Sequence, residues 1–206
     1  MDKALFISIA LFLYLKYRAK EQISSEEEIP YEWLDASEPL DYWYVAVGTL
    51  PFENSVMQYK VPIMKYGQDN GIEAAVIAGI IGLESKGVAN AVGYGKYFGL
   101  MQFGIYEARA MGYTGTTQGL LNPDTNIKYG SKYLKYCISQ RGDLAKGISG
   151  YNRGNVENPK TPYNADYVDA VSSYVPRFRD LLSQSFPGYA KVFPKETWLK
   201  TGVVYV

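Results

Sequence analysis

Ile72-Glu73-Ala74-Ala75-Val76-Ile77-Ala78-Gly79-Ile80-Ile81-Gly82-Leu83-Glu84-Ser85 is apolar on every side between Glu73 and Glu84. That is the pattern of a helix buried in the middle of a domain, since a surface helix keeps a polar face. The run is short and broken by glycine for a membrane span. The carboxyl that closes it meets two influences, apolar neighbours and the negative end of the helix dipole, and both favour the protonated form. Glu84 is therefore a candidate general acid near neutral pH. The competing reading is a helix-terminal glutamate facing water, the commoner fate of that residue type.

Working outward, Pro62 suits the first position of a helix through Tyr66, which Gly67 and the turn Asp69-Asn70-Gly71 then end. Lys86 to Phe98 is rich in glycine and small residues and holds no aspartate or glutamate, and Gly99-Leu100-Met101-Gln102 follows it. Sugar hydrolysis by a carboxylate pair needs a second acid about 5 to 9 Å from the first. No local candidate stands near Glu84 in sequence. Glu107, on a helix expected from Ile105 to Met111, and Asp124, after Asn122-Pro123, read as helix-start or surface residues. A lone carboxyl points to chemistry in which the substrate supplies its own second nucleophile. Further on, Tyr151-Asn152-Arg153-Gly154 leads into a loop over 155–163. Asn164 then looks like the N-cap of a helix beginning Ala165-Asp166-Tyr167-Val168, with Pro176 bending or ending it.

Composition removes several alternatives. The chain has no histidine, which sets aside Ser-His-Asp and Cys-His catalysis and the usual hydrolytic zinc sites. Cys137 is the only cysteine, so no intramolecular disulfide or thiolate cluster forms, and its helical setting suits a buried, inert thiol. Basic and acidic residues balance at 21 each, leaving no global field to gather nucleic acid. Tyrosine is abundant, at 20 of 206 residues, and most of these rings are expected to pack helices together.

The chain opens on an apolar run from Ala4 to Leu15, followed by Lys16, Arg18 and Lys20. Lys16-Tyr17-Arg18-Ala19-Lys20 makes a poor signal-peptide cleavage site. Residues 1–20 are read as a membrane anchor or uncleaved signal-like segment, with the membrane contacted through residues 4–17. Basic residues after the run would by the positive-inside tendency keep the rest of the chain cytoplasmic, which conflicts with a cell-wall substrate; the conflict eases in a virion membrane or with a weak, releasable anchor, and the expected place is membrane-anchored in the bacterial cell envelope or a virion membrane. Residues 21–54, with Glu26-Glu27-Glu28, Pro30, Pro39, Pro51 and Trp33, read as a linker partly packed on the domain. A helical domain is expected over 55–185 and an aromatic tail over 186–206.

In identity, order and spacing, Glu84-Ser85, Gly99-Leu100-Met101-Gln102, Asn126-Ile127 with Gly130 and Tyr133-Leu134, and Tyr151-Asn152 with Gly154 resemble the catalytic domain of the soluble lytic transglycosylases. The resemblance covers roughly residues 58–175. It implies a mainly α, lysozyme-like single domain, shared with goose-type lysozyme, that cleaves peptidoglycan glycan strands without a cofactor or metal and leaves 1,6-anhydro-muramic acid ends. Carried over by residue, it makes Glu84 the acid and base, with Ser85 capping the turn or holding the loop. Gln102 becomes the groove glutamine beside an apolar wall at Met101. Tyr151 becomes a tyrosine bonded to the acid, and Asn152 a contact to the N-acetyl sugar or a brace for that tyrosine. Two features depart from the pattern: Arg153 stands where a small residue is usual, and Tyr94-Gly95-Lys96-Tyr97-Phe98 is more aromatic than expected. Local wall opening is the role this implies, in phage entry or lysis or in wall remodelling, and compact size, a single catalytic module and the anchor suit a phage-borne enzyme. A muramidase of the same fold, and a non-catalytic wall-binding tether, are the alternatives.

Overall fold

The computed structural model describes residues 52–154, 158 and 160–193, so the anchor expected at 1–20, nearly all of the 21–54 linker and the end of the tail lie outside the described residues. Among the described residues no helix is long and apolar enough to cross a membrane. The protein is mainly helical. In chain order come α1 (Glu53–Met57), α2 (Lys60–Asn70), α3 (Ala74–Glu84), the strands β1 (Val92–Gly93), β2 (Tyr97–Phe98) and β3 (Phe103–Gly104), and α4 (Ile105–Ala110). A 3-10 turn over Gln118–Leu121 precedes α5 (Pro123–Arg141), α6 (Leu144–Arg153), α7 (Ala165–Ser185) and α8 (Tyr189–Val192).

The all-round apolar helix is the axis of the fold: every residue of α3 from Ala74 to Gly82 is buried. Its glycines let neighbours approach. A Cβ on Gly79 would come within 3.2 Å of the Val171 carbonyl of α7, and one on Gly82 within 3.2 Å of the Phe178 ring. The start of α3 is fixed by a bidentate ion pair, Arg179 to Glu73 at 2.6 and 2.9 Å, with the Tyr189 hydroxyl also donating to Glu73 at 3.0 Å. Tyr189 and Phe193 are buried, so the aromatic residues after α7 belong to the same core as far as Phe193.

Capping follows the sequence. Asn122 accepts from Thr125 N with Pro123 in the first turn of α5, Asp143 accepts from Lys146 N at the start of α6, and Asn164 accepts from Tyr167 N at the start of α7. Two expected helix ends do not occur. Gly67 lies inside α2, which runs on to Asn70 and ends at Gly71 in the left-handed region, because Gly67 serves close packing: a Cβ there would sit 2.9 Å from the Ile72 carbonyl. Pro176 lies inside α7, where Val175, Phe178 and Leu182 are all buried, and their burial holds the helix together across the lost hydrogen bond.

The small sheet is antiparallel in the order β1-β2-β3, with Val92 opposite Phe98, Gly93 opposite Tyr97, Tyr97 opposite Gly104 and Phe98 opposite Phe103. Paired residues share a face. One face is therefore Val92-Phe98-Phe103, turned to the core through buried Phe103, and the other is Gly93-Tyr97-Gly104.

Candidate active site

Glu84 is the last residue of α3 and is half-buried. The hydroxyl of Tyr167, one turn into α7, donates to Glu84 Oε1 at 2.6 Å. Tyr167 is 0 % exposed, and burial first, then the Glu84 charge, push its phenol well above the usual tyrosine range, so it remains a donor. Sequence reasoning expected this bond from Tyr151. The Tyr151 hydroxyl instead donates to the Met101 carbonyl at 2.6 Å, so it ties α6 to the Met101 loop rather than holding the acid, and burial first, then the Glu84 charge, raise its phenol well above the usual tyrosine range. The signal for Tyr167 was its place on the buried face of a capped helix, which gives burial but not a partner.

Lys86 is the other group not foreseen. It has φ +55, a left-handed conformation that costs a non-glycine residue energy. Its ammonium lies 4.5 Å from the centre of the Phe52 ring and 5.4 Å from that of Tyr174, and donates to the Tyr174 hydroxyl at 3.3 Å. Burial lowers its pKa to about 8, while the Glu84 charge acts in the opposite direction. The Tyr167 proton and the Lys86 cation thus favour the charged form of Glu84, while its place at the C-terminal end of α3 opposes it.

The remaining predicted residues serve the scaffold more than the expected groove. Ser85 is buried, its hydroxyl donating to the Ile81 carbonyl and accepting from Gly87 N at 3.2 Å each, so it builds the turn after the acid. Met101 was expected to form an apolar groove wall. It is 0 % exposed and packs on Gly130, because Asn126 pins this loop from inside: Asn126 accepts from Met101 N and donates to the Phe98 and Leu120 carbonyls, all at 2.8 Å. Gln102, at φ +45, stays half-exposed. Its Nε2 donates to the carbonyls of Ala91 and Gly99, and its Oε1 lies over Gly93 on the sheet. Asn152 is exposed and accepts from Asn164 Nδ2 at 2.7 Å, bracing the end of α6 against the start of α7 rather than bracing Tyr151. Arg153 is exposed. Cys137 is buried and its thiol is pushed up to about 12 by burial, as an inert core cysteine should be. A concavity of about 460 Å³ between α6 and the following loop, lined by Arg141, Lys146, Ser149 and Tyr163, contains none of the predicted site residues.

Comparison with known proteins agrees with this frame. Residues 62–167 match the family model described as Transglycosylase SLT domain. Among solved structures, the chain is similar to an inactive glutamate-to-glutamine variant of the lytic transglycosylase Slt from Pseudomonas aeruginosa, with a TM-score of 0.53 and 22 % identity. That match covers 64 % of this chain and 25 % of the other, so the chain spans about a quarter of the length of that protein, and at this identity the likeness is one of fold.

Proposed function

The chain belongs to the transglycosylase SLT domain family, and from that premise we propose that it is a peptidoglycan lytic transglycosylase with Glu84 as its acid and base. The observation that carries this is the single carboxyl at the end of buried α3, held at 2.6 Å by a tyrosine that stays protonated. Protonated Glu84 gives its proton to the bridging oxygen as the bond from muramic acid C1 to that oxygen breaks. The carboxylate then takes the proton of the muramic acid C6 hydroxyl as that oxygen closes on C1. Atoms balance without water: one glycosidic bond is lost, one intramolecular ether is made, and Glu84 ends protonated as it began.

With this reading go two further proposals. The apolar run at 4–15, followed by Lys16, Arg18 and Lys20, suits a tether that confines the enzyme to a membrane in the cell envelope or virion. Such confinement suits local wall opening by a phage-borne enzyme during infection or release. The test is digestion of purified sacculi by the full chain and by the chain lacking its first twenty residues, with mass spectrometry of the released sugars and sedimentation of each chain with membranes. Expected are anhydro-muramic ends from both, membrane association for the full chain alone, and loss of product in Glu84→Gln. Reducing muramic ends without anhydro ends would make the enzyme a muramidase. Binding to wall with no cleavage by the wild type would leave a tether.

A further inference from the structure

The segment that carries the acid, Gly82 to Gly87, is straddled by α1 with its N-cap Phe52, and glycine stands at both points of contact. The place a Gly82 Cβ would take is 3.0 Å from the Phe52 ring, and the place a Gly87 Cβ would take is 2.6 Å from the Ser55 backbone and 2.7 Å from Val56 N. A side chain at either glycine would push α1 away. Two anchors hold it in place: Val56 is buried in the core, and Glu53 pairs with Arg177 of α7 at 2.9 Å. Between the two glycines Lys86 takes its left-handed backbone, and strain of that kind persists only where the surroundings over-determine it. Those surroundings are an aromatic slot. The rings of Phe52 and Tyr174 meet edge to face with their centres 5.5 Å apart, and the Lys86 ammonium lies over both.

We propose that Lys86 is a positioning residue that acts through Glu84: its ammonium, fixed by Phe52 and Tyr174, steadies the Glu84 carboxylate between the two proton transfers, and α1 is the strap that keeps it there. The inference rests on the reading of Glu84 as acid and base and deepens it. An aromatic slot holds a cation without neutralising it, whereas a carboxylate partner would cancel its field. The Glu84 charge raises the Lys86 pKa, and the interaction is mutual, so the ammonium favours the charged form of Glu84. Burial brings the ammonium down to about 8, so its support is present at neutral pH and fades as pH rises past that value. The other ionisable groups around the slot are neutral or committed. Glu53 and Arg177 engage each other, Tyr174 is raised by burial, and Tyr167 and Tyr151 are raised by burial first and then by the Glu84 charge. Among the described residues, the charge that bears on Lys86 is that of Glu84.

The experiment follows the Glu84 carboxyl by carbon-13 NMR in the full chain in detergent, labelled at glutamate and assigned by the signal lost in Glu84→Gln. Lys86→Met keeps an apolar stem between the rings and removes the charge, so the Glu84 midpoint should rise by about half a pH unit, less than an opposite charge in direct contact gives. Lys86→Arg keeps a cation over the rings and should hold the wild-type midpoint. Phe52→Leu keeps the packing and removes one ring, so the freed ammonium gains water and the midpoint should rise by a smaller amount. The alkaline limb of kcat/KM on soluble glycan should rise with the midpoint in each variant. An unmoved midpoint in Lys86→Met overturns the proposal, as does an equal shift in Lys86→Arg, which would make the effect one of shape. A raised KM with an unmoved alkaline limb also overturns it, because Lys86 would then act on the substrate directly. An unmoved midpoint in Phe52→Leu overturns the role of α1. Reducing muramic ends from the wild type sink the transglycosylase reading alone, since the carboxyl titration is read without turnover.

Discussion

Tyr167→Phe isolates the contact on which the acid depends. The change removes one hydroxyl from a ring that is otherwise enclosed, and with it the 2.6 Å bond to Glu84 Oε1. A hydrogen bond to a charged group is worth about 1.5–3 kcal/mol, and the half-buried setting of Glu84 places this one near the lower end, about 1.5 kcal/mol. At 1.36 kcal/mol per decade, that is roughly a tenfold change in the carboxyl's protonation equilibrium. The sign is fixed by the donor: a proton offered to the carboxylate favours the charged form, so its loss leaves Glu84 protonated to higher pH. Since the first half of the reaction needs the protonated acid, the alkaline limb of kcat/KM against pH should move upward in the variant. The assay is the pH profile of release from labelled peptidoglycan, with thermal unfolding as a control for folding. An alkaline limb that stays in place or moves down would show that the hydroxyl does not govern the acid.

Two other outcomes follow from the same region. Folding lowers Lys86 from 10.5 to about 8, so between those values the unfolded chain holds the extra proton and stability rises with pH; below about 8 the burial penalty is present in full, and above 10.5 it is gone. In urea unfolding at pH 7.5 and 10, this rise should vanish in Lys86→Met, and an equal rise in both proteins refutes it. Asn126→Ala strands one N–H and two carbonyls in the core, which should cost about 3 kcal/mol or more in chemical denaturation; a loss under about 1 kcal/mol would show that the loop does not need this anchor.

The parts of the fold that were legible in the sequence are those decided by short-range chemistry. All-round apolarity placed α3 at the centre, and Asn122-Pro123 and Asn164 announced helix starts that hold in the structure. Gly67 and Pro176 do not end their helices because their local preference to stop one is outweighed by what packs on them, the Ile72–Ala74 backbone in one case and the flanking buried side chains in the other. The strands have two residues each, too few for alternation to register as a signal.

At the site, position in a helix was readable and direction was not. Glu84 could be singled out because the end of a buried helix is a property of adjacent residues. Met101 could not be placed, since its apolar character suits a wall or a core equally, and the choice is made by left-handed turns at Gly99 (φ +73) and Gln102 (φ +45) with Asn126 drawing the loop inward. Two buried tyrosines lie near the acid, Tyr151 on α6 and Tyr167 on α7, and motif order favours the first. Which hydroxyl reaches Glu84 depends on how α7 crosses α3 where Gly79 lets the two backbones close together, and that crossing is set by residues far apart in the chain. A tyrosine 83 residues from its carboxylate carries no local mark of the pairing, so only the packed structure shows that the acid is held by the helix leaving the loop and not by the one entering it.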